Sequence, residues 1–309
     1  MRVYRDVNDL NFDRTVVAVG NFDGVHCGHR MLLRRVMDVA ALHRLRSAAL
    51  TFWPHPRQTL DPADDAPLLL HTLDERITLL QQTGIDDLVI FPFDKDLSQM
   101  TASDFIRDIV IEKLNVQYLV VGQDHHFGKG RSGNVHFFTE FAAQNKLQVE
   151  VVDLKMLDRK ISSSAIRKSL ADGNLSLANE MLGYEYIISG KVIGGNRLGR
   201  TIGFPTANIE TPAYKLLPKE GVYRAKVKTE NSDFDRLGMA YIGKRTVLQQ
   251  KDESVHVEAN IFDFQRQIYG QEIAIALTHR IRDDIRFNNV QQLAEQLHRD
   301  KQAIMAILV

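Results

Sequence analysis

Two histidines three residues apart, His26 and His29, stand in the run Gly20-Asn21-Phe22-Asp23-Gly24-Val25-His26-Cys27-Gly28-His29. An apolar segment precedes the run and a stretch of helical spacing follows it. A helix N-terminus carries unpaired N–H groups and partial positive charge, so it attracts phosphate. Imidazoles placed there can donate to charge developing on a transferring phosphoryl or nucleotidyl group, and the glycines allow the main chain to approach closely. Two plainer readings are a turn and a zinc site made of His26, Cys27 and His29. Zinc is disfavoured because consecutive His and Cys side chains diverge and no second ligand cluster is visible.

Further along, Ile161-Ser162-Ser163-Ser164-Ala165-Ile166-Arg167 places serines where they can cap a helix and bind phosphate oxygens. Arg167, one turn on, can reach the same anion. A simple capped helix is the other reading. Gly190-Lys191-Val192-Ile193-Gly194-Gly195-Asn196-Arg197-Leu198-Gly199-Arg200-Thr201-Ile202-Gly203-Phe204-Pro205-Thr206-Ala207-Asn208 combines many glycines with three cations. That suits a backbone loop around polyphosphate, although the spacing is not that of a P-loop. Thr206 and Asn208 offer oxygen ligands for a hard cation such as Mg²⁺. Read alone, the run is a glycine-rich turn region.

The elements that position these groups are legible as two patterns. Short apolar runs at 15–19, 48–52, 87–91, 118–121 and 147–152 alternate with helical stretches after His29, over 103–114 and over 139–146. Strand–helix alternation predicts a doubly wound parallel α/β domain. Thr51-Phe52-Trp53-Pro54-His55-Pro56 and Val121-Gly122-Gln123-Asp124-His125-His126-Phe127-Gly128 then fall at carboxyl ends of strands, where ligands collect. Phe52, Trp53 and Phe127 serve either an aromatic ligand or the core. Helices ending at Gly173 and Gly183 form a bridge over about 161–183. Beyond 184, short runs at 186–188, 191–193, 223–227, 239–242, 255–262 and 272–277 predict a small antiparallel barrel or sandwich. A last helix begins near Asn289.

Composition removes several function classes. A length of 309 residues suggests about two domains. Lys+Arg and Asp+Glu are both 39, and the absence of a basic excess argues against a nucleic-acid binder. One cysteine, Cys27, excludes an internal disulfide and fits a reducing compartment. The polar first residues lack the apolar core of a signal peptide, and no run approaches the ~18 apolar residues of a membrane span. A soluble cytoplasmic protein, with no membrane partner, is expected.

In chain order, Gly-Asn-Phe-Asp-Gly-Val-His-x-Gly-His, Pro-His-Pro, Val-Gly-x-Asp and Ile-Ser-Ser-Ser-x-Ile-Arg resemble the adenylyltransferase half of bacterial bifunctional riboflavin kinase/FAD synthetases. That family belongs to the wider His-x-Gly-His nucleotidyltransferases. The glycine run resembles its riboflavin kinase module, and Gly221-Val222-Tyr223, Ile261-Phe262-Asp263-Phe264, Tyr269-Gly270 and Ile281-Arg282-Asp283-Asp284-Ile285-Arg286-Phe287 continue the likeness. It extends from about residue 15 to about 300.

The resemblance implies that residues 184–309 phosphorylate riboflavin to FMN, and that residues 1–183 adenylylate FMN to FAD with release of pyrophosphate. ATP and Mg²⁺ serve both reactions. By the same carry-over His26 and His29 stabilise the ATP phosphates, and Gly20, Asn21, Phe22, Gly28, Asp124, Ser163, Ser164 and Arg167 bind that ATP. In the kinase module Gly190, Lys191, Gly194, Gly199, Gly203 and Pro205 bind ATP, Thr206 and Asn208 the metal, and Arg282 and Phe287 the flavin. Glu258 takes or orients the proton of the riboflavin 5′-hydroxyl. Five positions depart from the family: His125 for Phe, Tyr241 for Asn, a missing Pro before Thr246, Asn260 for His and Gln267 for Asp. Those in the second module suggest an alternative, an FMN adenylyltransferase whose second module binds flavin with impaired kinase activity. A nucleotidyltransferase for another phosphate, such as a pantetheine or nicotinamide nucleotide, and a flavin carrier are remoter alternatives.

Overall fold

The computed structural model describes residues 1–5, 12, 14–61, 66–123, 127–145, 147–153, 161–195, 198–229, 233–234, 236–244 and 254–307. The chain forms two compact units, Met1–Ser162 and Ser163–Val309.

The first unit is built on β1 (Arg2–Tyr4), β2 (Thr15–Val19), β3 (Arg46–Trp53), β4 (Asp87–Pro92), β5 (Val116–Gly122) and β6 (Gln148–Val152). Their order is β1-β4-β3-β2-β5-β6 and every pairing is parallel. All five residues of β2 are buried, which is why residues 16–19 are continuously apolar instead of alternating. From β2 the chain builds outward through β3 and β4, then returns to the other side of β2 for β5 and β6. The reversal creates a crevice at the carboxyl ends of β2 and β5, the place where such sheets take ligands.

Helix α1 (Cys27–His43) starts at that crevice and buries Leu32, Leu33, Val36, Val39 and Ala40, the stripe read from the sequence. Next come α2 (Pro56–Leu60), α3 (Leu73–Gln81), α4 (Lys95–Gln99), α5 (Ala102–Asp104), which continues as a π-helix over Phe105–Lys113, and α6 (Val135–Asn145). The expected helices at 103–114 and 139–146 are present, the second starting earlier. Strand β1 and helices α2, α3 and α4 were not anticipated. They are three to nine residues long, too short to establish a period. Helix α3 nevertheless begins at a full capping box, Thr72 with Glu75.

The second unit opens with α7 (Ser163–Ala171) and α8 (Leu175–Leu182), followed by Gly173 and Gly183 in left-handed conformation, as the sequence implied. A closed antiparallel barrel follows: β7 (Tyr186–Ile193), β8 (Ala207–Ile209), β9 (Gly221–Lys228), β10 (Arg236–Lys244), β11 (Val255–Ile261) and β12 (Glu272–Asp283), in the order β10-β11-β8-β7-β12-β9. Of the expected barrel or sandwich, the barrel is the one formed. Helix α9 (Leu198–Thr201) lies between β7 and β8, and α10 (Val290–Ala306) ends the described chain. The sequence suggested two runs where β7 is unbroken. At Gly190 the carbonyl of Glu210 comes so close that a Cβ would lie 2.0 Å from it.

The bridge helices pack with the barrel. The Lys219 amide donates to the Leu170 carbonyl at 2.9 Å, and Asn179 joins the Tyr186 amide and the Leu277 carbonyl, each at 2.9 Å. The compact units divide at 162/163, whereas the change from helical to strand periodicity that sets the expected 183/184 boundary falls after the bridge helices. Strand register places Asn208, Glu258, Tyr241, Val222 and Arg282 side by side across β8, β11, β10, β9 and β12. Side chains at alternate positions, such as Ala240, Ala259 and Tyr223, fill the interior. Ile304 and Leu297 of α10 pack with Phe204, Val222, Met239 and Phe262.

Candidate active sites

In the first unit, the loop leaving β2 and the start of α1 hold the histidine pair. His26 is the N-cap of α1, and its Nδ1 accepts from the His29 amide at 3.4 Å. One helical turn brings the two rings face to face, with centroids 3.6 Å apart and planes 16° from parallel. The Phe22 ring meets His29 edge-on at 5.3 Å. Gly28 lies beneath His26, where a Cβ would come within 3.4 Å of the ring. The Nδ1 of His29 is enclosed and has no hydrogen-bond partner among the described residues. Burial, then the neighbouring His26, then Arg76, hold His29 well below the ordinary imidazole range. His29 is thus a neutral imidazole near pH 7.

The loop itself is conformationally costly. Phe22 (φ 48°) and Val25 (φ 36°) occupy the left-handed region without being glycine. Such residues cost roughly 1–3 kcal/mol each and persist when their surroundings over-determine them. Here the Asn21 carbonyl accepts from Thr51 Oγ1 at 3.1 Å and from Arg76 Nη1 at 3.0 Å. The Asp23 carboxylate accepts from the Leu70 and His71 amides at 3.1 and 3.3 Å. Gly20, Asn21, Phe22, His26, Gly28 and His29 are therefore brought together at one crevice.

Other expected residues are distributed differently. Ser163 and Ser164 form the first turn of α7, and Arg167 follows one turn later, half-buried, in the second compact unit. Asp124 and His125 lie outside the described residues. Pro-His-Pro works as a helix start: His55 Nδ1 accepts from the Arg57 amide at 3.2 Å, and Pro56 is the first residue of α2. Phe127 stacks on Phe138 at 4.7 Å, and Phe52 packs on Phe93 and Phe105, so both belong to the core. Trp53 lies against the Arg76 guanidinium, 5.4 Å from the ring centroid.

In the second unit the Thr206 hydroxyl donates to Glu258 Oε2 at 3.1 Å, and Asn208 is the register partner of Glu258. The glycine run folds against them. A Cβ on Gly195 would strike the Asn208 amide at 2.2 Å, and one on Gly199 the Phe204 carbonyl at 2.2 Å. Gly203 turns with φ 82°. Gly190, Lys191 and Gly194 lie on β7 and just beyond it. Thr206 and Pro205 also line an open pocket with Arg200, Arg266, Gln267, Phe264 and Tyr269. Thr206 thus joins the pocket to the carboxylate. Its hydroxyl, the Asn208 amide oxygen and the Glu258 carboxylate are hard donors of the kind Mg²⁺ takes beside nucleotide oxygens.

Two departures from the family pattern, Asn260 and Tyr241, have structural roles. Asn260 donates from Nδ2 to the Pro205 carbonyl at 2.7 Å, tethering the Gly-Phe-Pro-Thr segment. The Tyr241 ring folds over Gly243, and its hydroxyl donates to the Lys244 carbonyl at 2.9 Å. Burial first, then Asp284, Glu220 and Glu258, push that phenol upward, so it stays protonated. Thr246 lies outside the described residues. Arg282 forms a fork with buried Asp300, Nε at 2.9 and 3.0 Å and Nη2 at 2.8 Å, and lies 6.0 Å from the Phe287 ring centroid. That fork ties α10 to β12, a role sequence reasoning did not give it.

Sequence reasoning also missed Arg76 and Arg266. An arginine on a short amphipathic helix reads as solvated, and only burial reveals otherwise. Arg266 stands next to a noted departure, Gln267, which was the available signal.

The sequence model of the FAD synthetase family matches residues 9–165, and that of the riboflavin kinase family matches residues 182–308. A bifunctional riboflavin kinase/FMN adenylyltransferase of Bacillus subtilis is 36% identical over 94% of this chain and 91% of its own. The proteins of that name from Haemophilus influenzae and Escherichia coli K12 are 35% and 34% identical, over 99% and 97% of this chain and 99% and 96% of theirs. Among solved structures, a macrolide-efflux protein from Streptococcus pneumoniae is 30% identical with a TM-score of 0.86, over 99% of both chains. Among the described residues no helix is long and apolar enough to cross a membrane. With two family models in tandem and relatives matched nearly end to end, the chain belongs to the bifunctional riboflavin kinase/FMN adenylyltransferase family.

Proposed function

We propose that this chain makes FAD from riboflavin in two ATP-dependent steps, one in each half of the sequence. The kinase step belongs to residues 184–309. Glu258 accepts the proton of the riboflavin 5′-hydroxyl, the freed oxygen attacks the γ-phosphorus of ATP, and ADP leaves. Thr206 and Asn208 hold Mg²⁺, which neutralises triphosphate charge when bound. The pocket behind Thr206 takes the nucleotide, with Arg200 and Arg266 facing its anionic part. The Thr206–Glu258 hydrogen bond orients the carboxylate towards the acceptor.

Adenylylation belongs to residues 1–183. An FMN phosphate oxygen attacks the α-phosphorus of ATP, and pyrophosphate leaves. His29 is enclosed at Nδ1, so Nε2 is its donor to the ATP phosphates. The N-terminus of α1 adds N–H groups and partial positive charge. Preorganised donors around developing charge carry the rate in this step. Reaction partners are small molecules, in the cytoplasm.

The observation that carries this reading is a cluster suited to phosphate in each compact unit, the stacked His26 and His29 in one and Thr206, Asn208 and Glu258 in the other. Pure full-length protein incubated with riboflavin, ATP and Mg²⁺, then resolved by chromatography, should yield FMN and afterwards FAD. Absence of both products overturns the proposal. FAD made only when FMN is supplied would restore the kinase-impaired alternative.

A further inference from the structure

Building on the adenylyltransferase reading, the geometry points to Arg76 as a positioning residue for adenylyl transfer, holding the loop that presents His26 and His29. Arg76 is on α3, outside every motif, and its side chain is wholly buried. Its Nη1 donates to the Asn21 carbonyl at 3.0 Å and lies 3.5 Å from both Thr51 Oγ1 and the Phe52 carbonyl. Thr51 Oγ1 donates to the same Asn21 carbonyl. One guanidinium thus fastens the loop after β2 to the end of β3, with the Trp53 ring beside it.

The connection to the chemistry is short. The clamped carbonyl belongs to the peptide that leads into Phe22, whose backbone is left-handed and whose ring packs on His29. One residue further, the Asp23 carboxylate takes the amides of Leu70 and His71. The run 70–76 therefore grips the loop at two points. A planar guanidinium can reach several acceptors around one carbonyl, whereas a lysine ammonium is a flexible, strongly hydrated point charge. Release of the clamp lets Asn21–Val25 relax from its costly conformation and moves the histidine pair relative to the triphosphate. Misplacement by about 1 Å costs about 100-fold in rate.

The test compares the full-length wild type with Arg76→Met, Arg76→Lys and Thr51→Val. FAD formation is measured from FMN, ATP and Mg²⁺, with folding checked by circular dichroism. Arg76→Met should lose about 100-fold in kcat/KM, with KM for ATP raised. An unfolded fraction lowers apparent kcat but leaves KM unchanged. Arg76→Lys should recover part of the loss, and Thr51→Val should lose about tenfold because one of two donors remains. The proposal is overturned if Arg76→Met stays within about threefold of wild type, or if its loss is confined to apparent kcat and tracks the unfolded fraction. Should Arg76→Met fail to fold, Arg76→Lys and Thr51→Val decide, and an unchanged KM for ATP in both overturns it. A wild-type chain that makes no FAD overturns the adenylyltransferase reading instead.

Discussion

In the first unit the histidines proposed to face phosphate hang from a loop and a helix end, whereas in the second the proposed Asn208 and Glu258 stand on neighbouring strands of a closed barrel. The difference decides what must hold them. The loop from Gly20 to Val25 contains two non-glycine residues at positive φ, so it needs external clamps, and Arg76, Thr51, Leu70 and His71 supply them. In the barrel, the ladder already places Asn208 beside Glu258 and Glu258 beside Tyr241. Only the segment entering β8 needs a tether, and Asn260 provides it through the Pro205 carbonyl. Loop sites thus spread their support over distant sequence, while strand sites draw it from register.

The sharpest way to break this comparison is to remove one chemistry and watch the other. Glu258→Gln should lower FMN formation by about 10²–10⁴-fold, the contribution of a general base, while FAD formation from supplied FMN continues. His29→Ala should do the reverse. Loss of a preorganised donor costs about 10²–10³-fold in FAD formation, and FMN formation should persist. Chromatographic rates on the same preparations check both. If either change abolishes both products in folded protein, the assignment of one reaction to each half fails.

A smaller effect separates scaffold from ligand contact in the barrel. Asp300→Ala leaves the Arg282 cation without its carboxylate, and breaking such a buried pair costs about 3 kcal/mol or more. Denaturant unfolding should show that loss in the second unit. A stable Asp300→Ala protein whose KM for riboflavin rises would instead make Arg282 a flavin contact first.

The smallest expected effect concerns pH. His29 titrates below its unfolded value of 6.5, so the unfolded chain binds more protons in the window between the two values. Stability from this group is complete above about pH 6.5 and is lost as pH falls through the lower folded value. Thermal melts of the wild type should decline over that acidic range more steeply than those of His29→Gln. Parallel curves would show that burial of His29 contributes nothing to the acid sensitivity.

Local pattern carried much of the architecture. The apolar runs at 15–19 and 87–91 and the stripe from Leu32 to Ala40 declared themselves because buried strands and amphipathic helices impose short periods on the chain. Gly173 and Gly183 marked helix ends for the same reason, since left-handed closure favours residues without Cβ. The His-x-Gly-His run and the Gly-Phe-Pro-Thr-Ala-Asn run were readable because chemistry at a backbone turn constrains adjacent residues.

What sequence alone determined, then, was the family and the kinds of element that carry the residues proposed to handle phosphate. Tertiary structure decided what holds those residues in place. The neutral state of His29, the clamp from Arg76 and the fork between Arg282 and Asp300 join residues that are far apart in sequence or depend on burial. Neither separation nor burial leaves a period in a single sequence. Arg76 has the same composition signature as a solvated helix arginine, and only its burial against Asn21, Thr51 and Phe52 gives it the clamping position.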